Sequence, residues 1–151
     1  MMKIFFSGSI RGGGDYRSSY LQILEFLRNY GDIISEHFDV GNASGSGEQG
    51  KDSVIYARDV QWIREADLLI AEVSQPSIGV GYEIALAESL GIPVLALFNL
   101  GAEKPISAMI SGNFKITVVR YDSLAELWPM LDAELVKAGF KPADGGGQSF
   151  T

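Results

Sequence analysis

The sequence predicts an α/β domain: a doubly wound, five-stranded parallel sheet in the flavodoxin-like order 2-1-3-4-5, with helices on both faces. Three observations lead there. Short apolar runs alternate with longer segments of helical periodicity, which implies parallel strands joined by crossover helices. There are five such runs, and five favour the doubly wound arrangement over a closed barrel. A chain of 151 residues with 46% hydrophobic and 21% charged content suits one domain with a sizeable core.

Residues 3–7 (KIFFS) form the first buried strand, and GSIRGGG is its turn. Asp15 is a candidate N-cap for a helix over 16–30, whose stripe is Tyr20, Ile23, Leu24 and Leu27; Gly31 ends it. DIISEHF (32–38) is the second strand, and the Gly- and Ser-rich stretch 39–52 is a loop able to act as a lid. A helix over 53–66 leads into the third strand, DLLIAEV. The turn SQPSIGVG follows, then a helix over 81–90 closed by Gly91. IPVLALF is the fourth strand, and the loop after it has one helical turn at 106–110. FKITVVR is the fifth, and a last helix over 123–137 carries Pro129 as a kink. A single domain thus spans 1–138, and 139–151 is a tail with too little apolar surface to order itself.

Net charge is −7 with a pI near 4.6, which argues against nucleic-acid and anionic membrane partners. There are no cysteines, so disulfides and thiolate metal sites are excluded, and a cytoplasmic location is the simplest expectation. With His37 the only histidine, no multi-histidine metal site is expected either. The apolar run at the N-terminus is too short for a signal peptide, and no run approaches a membrane span.

In this architecture ligands bind beyond the carboxyl ends of the strands, where the order reverses between strands 1 and 3. That selects GSIRGGG and SQPSIGVG. Neither is a dinucleotide or ATP fingerprint, so a mononucleotide-sized ligand fits better. Two acids flank the same cleft from the wrong side of their helices. Asp59 falls among Ile55, Trp62 and Ile63, while Arg58, Gln61, Arg64 and Glu65 take the polar side. Glu83, expected in the first helical turn, shares a stripe with Leu86, Ala87 and Leu90, whereas Glu88 is the solvated glutamate. Buried unpaired carboxylates are costly, so each needs an ion-pair partner, a helix dipole or a catalytic role. Two together suit cleavage of a glycosidic bond, one as nucleophile and one as acid.

The blocks FFSGSIRGG, RDVQWIREADLLIAEVSQPSIGVGYEIA and PISAMI, taken in order, resemble the nucleoside 2-deoxyribosyltransferase superfamily, and within it the 2′-deoxynucleoside 5′-phosphate N-hydrolase branch. The resemblance implies a cofactor-free homodimer that hydrolyses nucleoside monophosphates to free base and a sugar 5-phosphate. It implies Glu83 as nucleophile, through a covalent glycosyl intermediate, and Asp59 as acid or orienter. Ser9, Ile10, Arg11, Gly12, Ser77 and Gly79 would hold the 5′-phosphate, with Phe5, Gly13 and Met109 beside the substrate. Ser107 would reach the partner subunit's site. One position departs from the branch. Many members have tyrosine at Phe5, and similar cytidylate N-glycosidases have phenylalanine, which leaves a ribonucleotide substrate as the alternative. A nucleotide-sensing module without turnover is the alternative from another class, though it has no need of inward carboxylates.

Overall fold

A computed structural model of the chain describes residues 1–9, 16–35 and 51–143. The strands are β1 (Lys3–Gly8), β2 (Asp32–Ile33), β3 (Leu68–Glu72), β4 (Val94–Asn99) and β5 (Thr117–Tyr121), all parallel in the order β2-β1-β3-β4-β5. The helices are α1 (Arg17–Leu27), α2 (Asp52–Glu65), α3 (Ile78–Ser89), the single turn α4 (Ala108–Ser111) and α5 (Leu124–Lys137). The predicted fold class is therefore the observed one.

Alternate residues of each strand face opposite layers. Ile4, Phe6, Leu68, Ile70, Leu95 and Leu97 pack against Tyr20, Ile23 and Leu24 of α1 and Leu127, Leu131 and Leu135 of α5. Phe5, Leu69, Ala71, Ala96 and Phe98 face Ile63 of α2 and Val80, Ile84 and Ala87 of α3. Both faces are covered, which a parallel sheet needs because its strands have no polar side to give to water.

Several boundaries differ from expectation, each for a local reason. Helix α1 ends with Arg28 as C-cap, short of Gly31. Gly31 is a glycine because a Cβ there would sit 2.6 Å from the carbonyl oxygen of Met2, so β1 and the turn before β2 could not close. Helix α3 starts at Ile78, three residues earlier than the glycines suggest. The Ser77 Oγ caps it by accepting from the Val80 N–H at 3.3 Å. The cap, together with the packing of Val80, Ile84 and Ala87 on the sheet, offsets two helical glycines, each costing about 1 kcal/mol against alanine. The end of α3 is as expected, with Gly91 at φ 73. Helix α5 continues through Pro129, since only one backbone bond is forfeited there. Asp15, His37 and the 39–50 part of the loop lie outside the described residues.

The chain does not leave the fold after α5. The Phe140 N–H donates to Leu135 O at 2.9 Å, its ring is 1% exposed in the α1/α5 layer, and the Ala143 N–H donates to Asn29 O at 2.8 Å. Residues 139–143, assigned from composition to the tail, are thus part of the packed unit. Phe140→Ala should lower unfolding free energy by about 3–5 kcal/mol in a urea titration followed by far-UV circular dichroism, the cost of emptying a phenylalanine site in a core.

Candidate active site

The parallel sheet delivers β1 and β3 side by side, with Ser7 paired to Ala71 and Gly8 to Glu72. Their exits form the two walls of the site. Ser9, buried, follows β1 directly, and Ser77 caps α3 after β3. Gly79 is the second residue of α3 and exposed. Ile10, Arg11, Gly12 and Gly13 lie outside the described residues. Phe5 is fully buried in the layer beneath α2 and α3.

Glu83 is the sixth residue of α3, not a first-turn acid, so the dipole at the helix start does not account for it. It sits on the flank of α3 that packs against α2. Its Oε2 is enclosed and has no hydrogen-bond partner. Burial, and then the Asp59 carboxylate on α2, push the Glu83 carboxyl up to about 8. That favours the protonated form of Glu83 at neutral pH.

Asp59 itself is partnered. The Nε and Nη2 of Arg58 donate to its Oδ1 at 3.0 and 2.9 Å, and its side chain is only 19% exposed. Arg58, which helical spacing puts on the polar side, folds back with its guanidinium 4.6 Å over the Trp62 ring. Trp62 is half-buried, a platform for this arginine as much as a core residue. Tyr56, expected in the apolar stripe of α2, is exposed and meets Tyr82 of α3 edge to face at 6.3 Å between centroids. Glu88 is not simply solvated, for its Oε2 accepts from Asn113 Nδ2 at 2.6 Å.

Ser107 and Met109 are on the other flank of α3. Ser107 caps α4, accepting from the Met109 N–H at 3.2 Å, and Met109 is 84% exposed. They line a groove of about 1300 Å³ between α3 and α4, with Ser77, Ile78, Gly81 and Glu88. Neither Glu83 nor Asp59 lines it. Within one chain the structure thus brings Asp59 and Glu83 together, with Phe5 buried in the same layer, and leaves Ser107 and Met109 on the other flank of α3.

Two buried polar groups were not foreseen. Glu72, fully buried on the α1/α5 side, accepts the Ser74 N–H at 2.6 Å through Oε1 and the Tyr121 hydroxyl through Oε2. Ser74 Oγ in turn accepts the Asn99 N–H at 2.8 Å. Together they tie the carboxyl ends of β3, β4 and β5 and fix the start of the loop leading to α3. Burial raises the Glu72 carboxyl, which favours its neutral form. The second group is Ser7, 1% exposed, whose Oγ has no partner. The period of two along β1 could have found it, since Phe5 and Ser7 share a face. Among the described residues no cluster of three or more His, Cys, Asp or Glu is set to hold a metal ion, and no helix is long and apolar enough to cross a membrane.

The profile of the nucleoside 2-deoxyribosyltransferase family matches residues 4–118. A Syntrophotalea carbinolica protein provisionally named 2′-deoxynucleoside 5′-phosphate N-hydrolase 1 is 62% identical over 93% of this chain and 99% of its own. The human 5-hydroxymethyl-dUMP N-hydrolase is 40% identical over 72% of this chain and 64% of its own. Among solved structures, a 2-deoxyribosyltransferase from Bacillus psychrosaccharolyticus superposes with a TM-score of 0.65 at 16% identity, over 93% of this chain and 98% of that one. A CMP N-glycosidase from Clostridium botulinum gives 0.62 at 20% identity, over 88% and 99%. Those two likenesses concern the fold; the profile and the 62% identity concern descent, and by them the chain belongs to the nucleoside 2-deoxyribosyltransferase family.

Proposed function

We propose that this protein hydrolyses the N-glycosidic bond of 2′-deoxynucleoside 5′-monophosphates, giving free base and 2-deoxyribose 5-phosphate. The observation that carries the reading is the Glu83 carboxyl, enclosed between α2 and α3 against Asp59 with one oxygen unpartnered. A structural carboxylate would have donors; this one is kept for a ligand. The names of the relatives support the substrate class, since both the Syntrophotalea and the human proteins are named as deoxynucleotide N-hydrolases.

The pair's single proton suits the chemistry. Glu83 attacks C1′ as the carbon–nitrogen bond breaks, and the proton passes through Asp59 to the departing base. Water then attacks C1′ of the glycosyl ester. Its proton goes to Asp59, the hydroxyl stays on the sugar, and Glu83 leaves as carboxylate, which restores the pair. Arg58, bonded to Asp59, holds that carboxyl in place across both steps. The 5′-phosphate is read by Ser9, Ile10, Arg11, Gly12, Ser77 and Gly79, the last two at the start of α3, where a helix N-terminus suits an anion.

The protein acts as a cytoplasmic homodimer in this reading. Ile78, Met109 and Phe114 are 96%, 84% and 94% exposed beside or near the α3/α4 groove, more apolar surface than a lone chain usually shows to water. A second copy on that flank would carry Ser107 to its partner's phosphate. A ribonucleoside monophosphate remains the second reading, because Phe5 brings no hydroxyl to the wall beneath the carboxylates.

Free-base release should be followed by chromatography with a panel of deoxy- and ribonucleoside monophosphates. Glu83→Gln and Asp59→Asn should each lower turnover at least about a hundredfold. Undiminished variants would contradict the assignment, and base release from no nucleotide would favour the sensing module. Stability offers a separate check. The folded value of Glu83, about 8, exceeds its ordinary 4.5, so folding favours the protonated form and stability is lost as pH rises between them. Glu83→Gln removes that loss. Its melting temperature relative to the parent should climb by several degrees from pH 5 to pH 8 in scanning calorimetry.

A further inference from the structure

Two buried polar atoms on the α2/α3 side of the sheet lack partners: Ser7 Oγ and Glu83 Oε2. Helix α3 returns the chain from the carboxyl end of β3 to the amino end of β4, so it runs antiparallel to the strands. Glu83 is six residues beyond the cap Ser77, about 9 Å down that helix. Ser7 and Ala71 are each next to the last residue of their strands, near the carboxyl edge from which the chain turns towards α3. Ser7 pairs with Ala71 in register and shares its face with Phe5, in the layer that α3 covers. Helix α3 packs on β1 as well as on β3.

We propose that Ser7 is the positioning residue for Glu83: when that carboxyl loses its proton, the Ser7 hydroxyl donates to Oε2 and holds the ionised group aimed along the wall of β1. The role deepens the proposed function, since a nucleophile must be both ionised and oriented, but the contact itself depends only on the protein. A serine at 1% exposure with no partner bears an uncompensated desolvation cost, which a second purpose offsets. Hydrogen bonds to a charged oxygen are about twice as strong as neutral ones, so ionisation is what draws the two groups together.

The other groups around Glu83 do not supply this bond. From α2 come Asp59, which repels it, and Arg58, which bonds Asp59. From α3 itself comes Tyr82, turned to Tyr56. The described residues of β1 and β3 on this face are Phe5, Ser7, Leu69 and Ala71, none of which titrates. Glu72 faces the opposite layer, bonded to Tyr121.

The test is the titration of Glu83 in the intact free protein, read by carbon-13 NMR of labelled glutamate carboxyls, with Glu83→Gln assigning the resonance. Ser7→Ala should raise the midpoint by about one pH unit, and Ser7→Cys, a weaker donor of similar size, should fall between. Both variants should melt within a few degrees of the parent, and a structural role alone would move melting without moving the midpoint. A midpoint that is the same in all three proteins overturns the proposal, and Ser7→Cys decides it should the alanine variant fail to fold. Because no substrate enters this measurement, its outcome is separate from that of the base-release assay.

Discussion

The site rests on one electrostatic conflict: two carboxyl groups, Glu83 and Asp59, face each other between α2 and α3, where water is largely excluded. In water such a pair repels weakly; enclosed, it cannot carry two full charges without compensation. The fold resolves the conflict asymmetrically. Asp59 is given Arg58, which in turn rests on Trp62. Glu83 is given no donor for Oε2 and keeps its proton.

Holding that conflict requires a rigid frame, and the sheet supplies it at the carboxyl edge. The buried Glu72 carboxyl joins the Ser74 N–H to the Tyr121 hydroxyl, and Ser74 Oγ takes the Asn99 N–H. Three strands are thereby tied at the point where the loop to α3 departs. Ser77 then caps α3 and sets the helix phase, which points Val80, Ile84 and Ala87 at the sheet and Glu83 at α2. Displacing the cap would rotate every one of these residues, as helical phase is set by its start.

The fold was legible because alternating strands and helices leave few topologies. Asp59 and Glu83 stood out because a carboxylate on an apolar stripe breaks the helical pattern. What misled was glycine. Gly79 and Gly81 read as a turn ahead of the helix, yet both lie inside α3, where a capping serine and the packing of Val80 and Ile84 offset their weak helix propensity. Local propensity also cannot see Arg58 fold back onto Trp62, nor Tyr56 turn outward to Tyr82, since both depend on neighbours brought in by the tertiary fold. Glu72 was hidden for another reason. At the end of a fully buried strand it looks like a boundary residue, and only the distant Tyr121 explains it. Phe140 was lost in a Gly-rich tail composition, although one aromatic ring suffices to anchor residues 139–143.

The central claim is that Glu83 forms a bond to the sugar. The most direct measurement is mass spectrometry of the protein mixed with a deoxynucleoside monophosphate, quenched in acid within the first turnover and digested. A 2-deoxyribose 5-phosphate adduct on the peptide carrying Glu83, appearing with a matching burst of free base, is the predicted result. Free base formed in that turnover with no adduct on the peptide, or with the adduct on another residue, would contradict it.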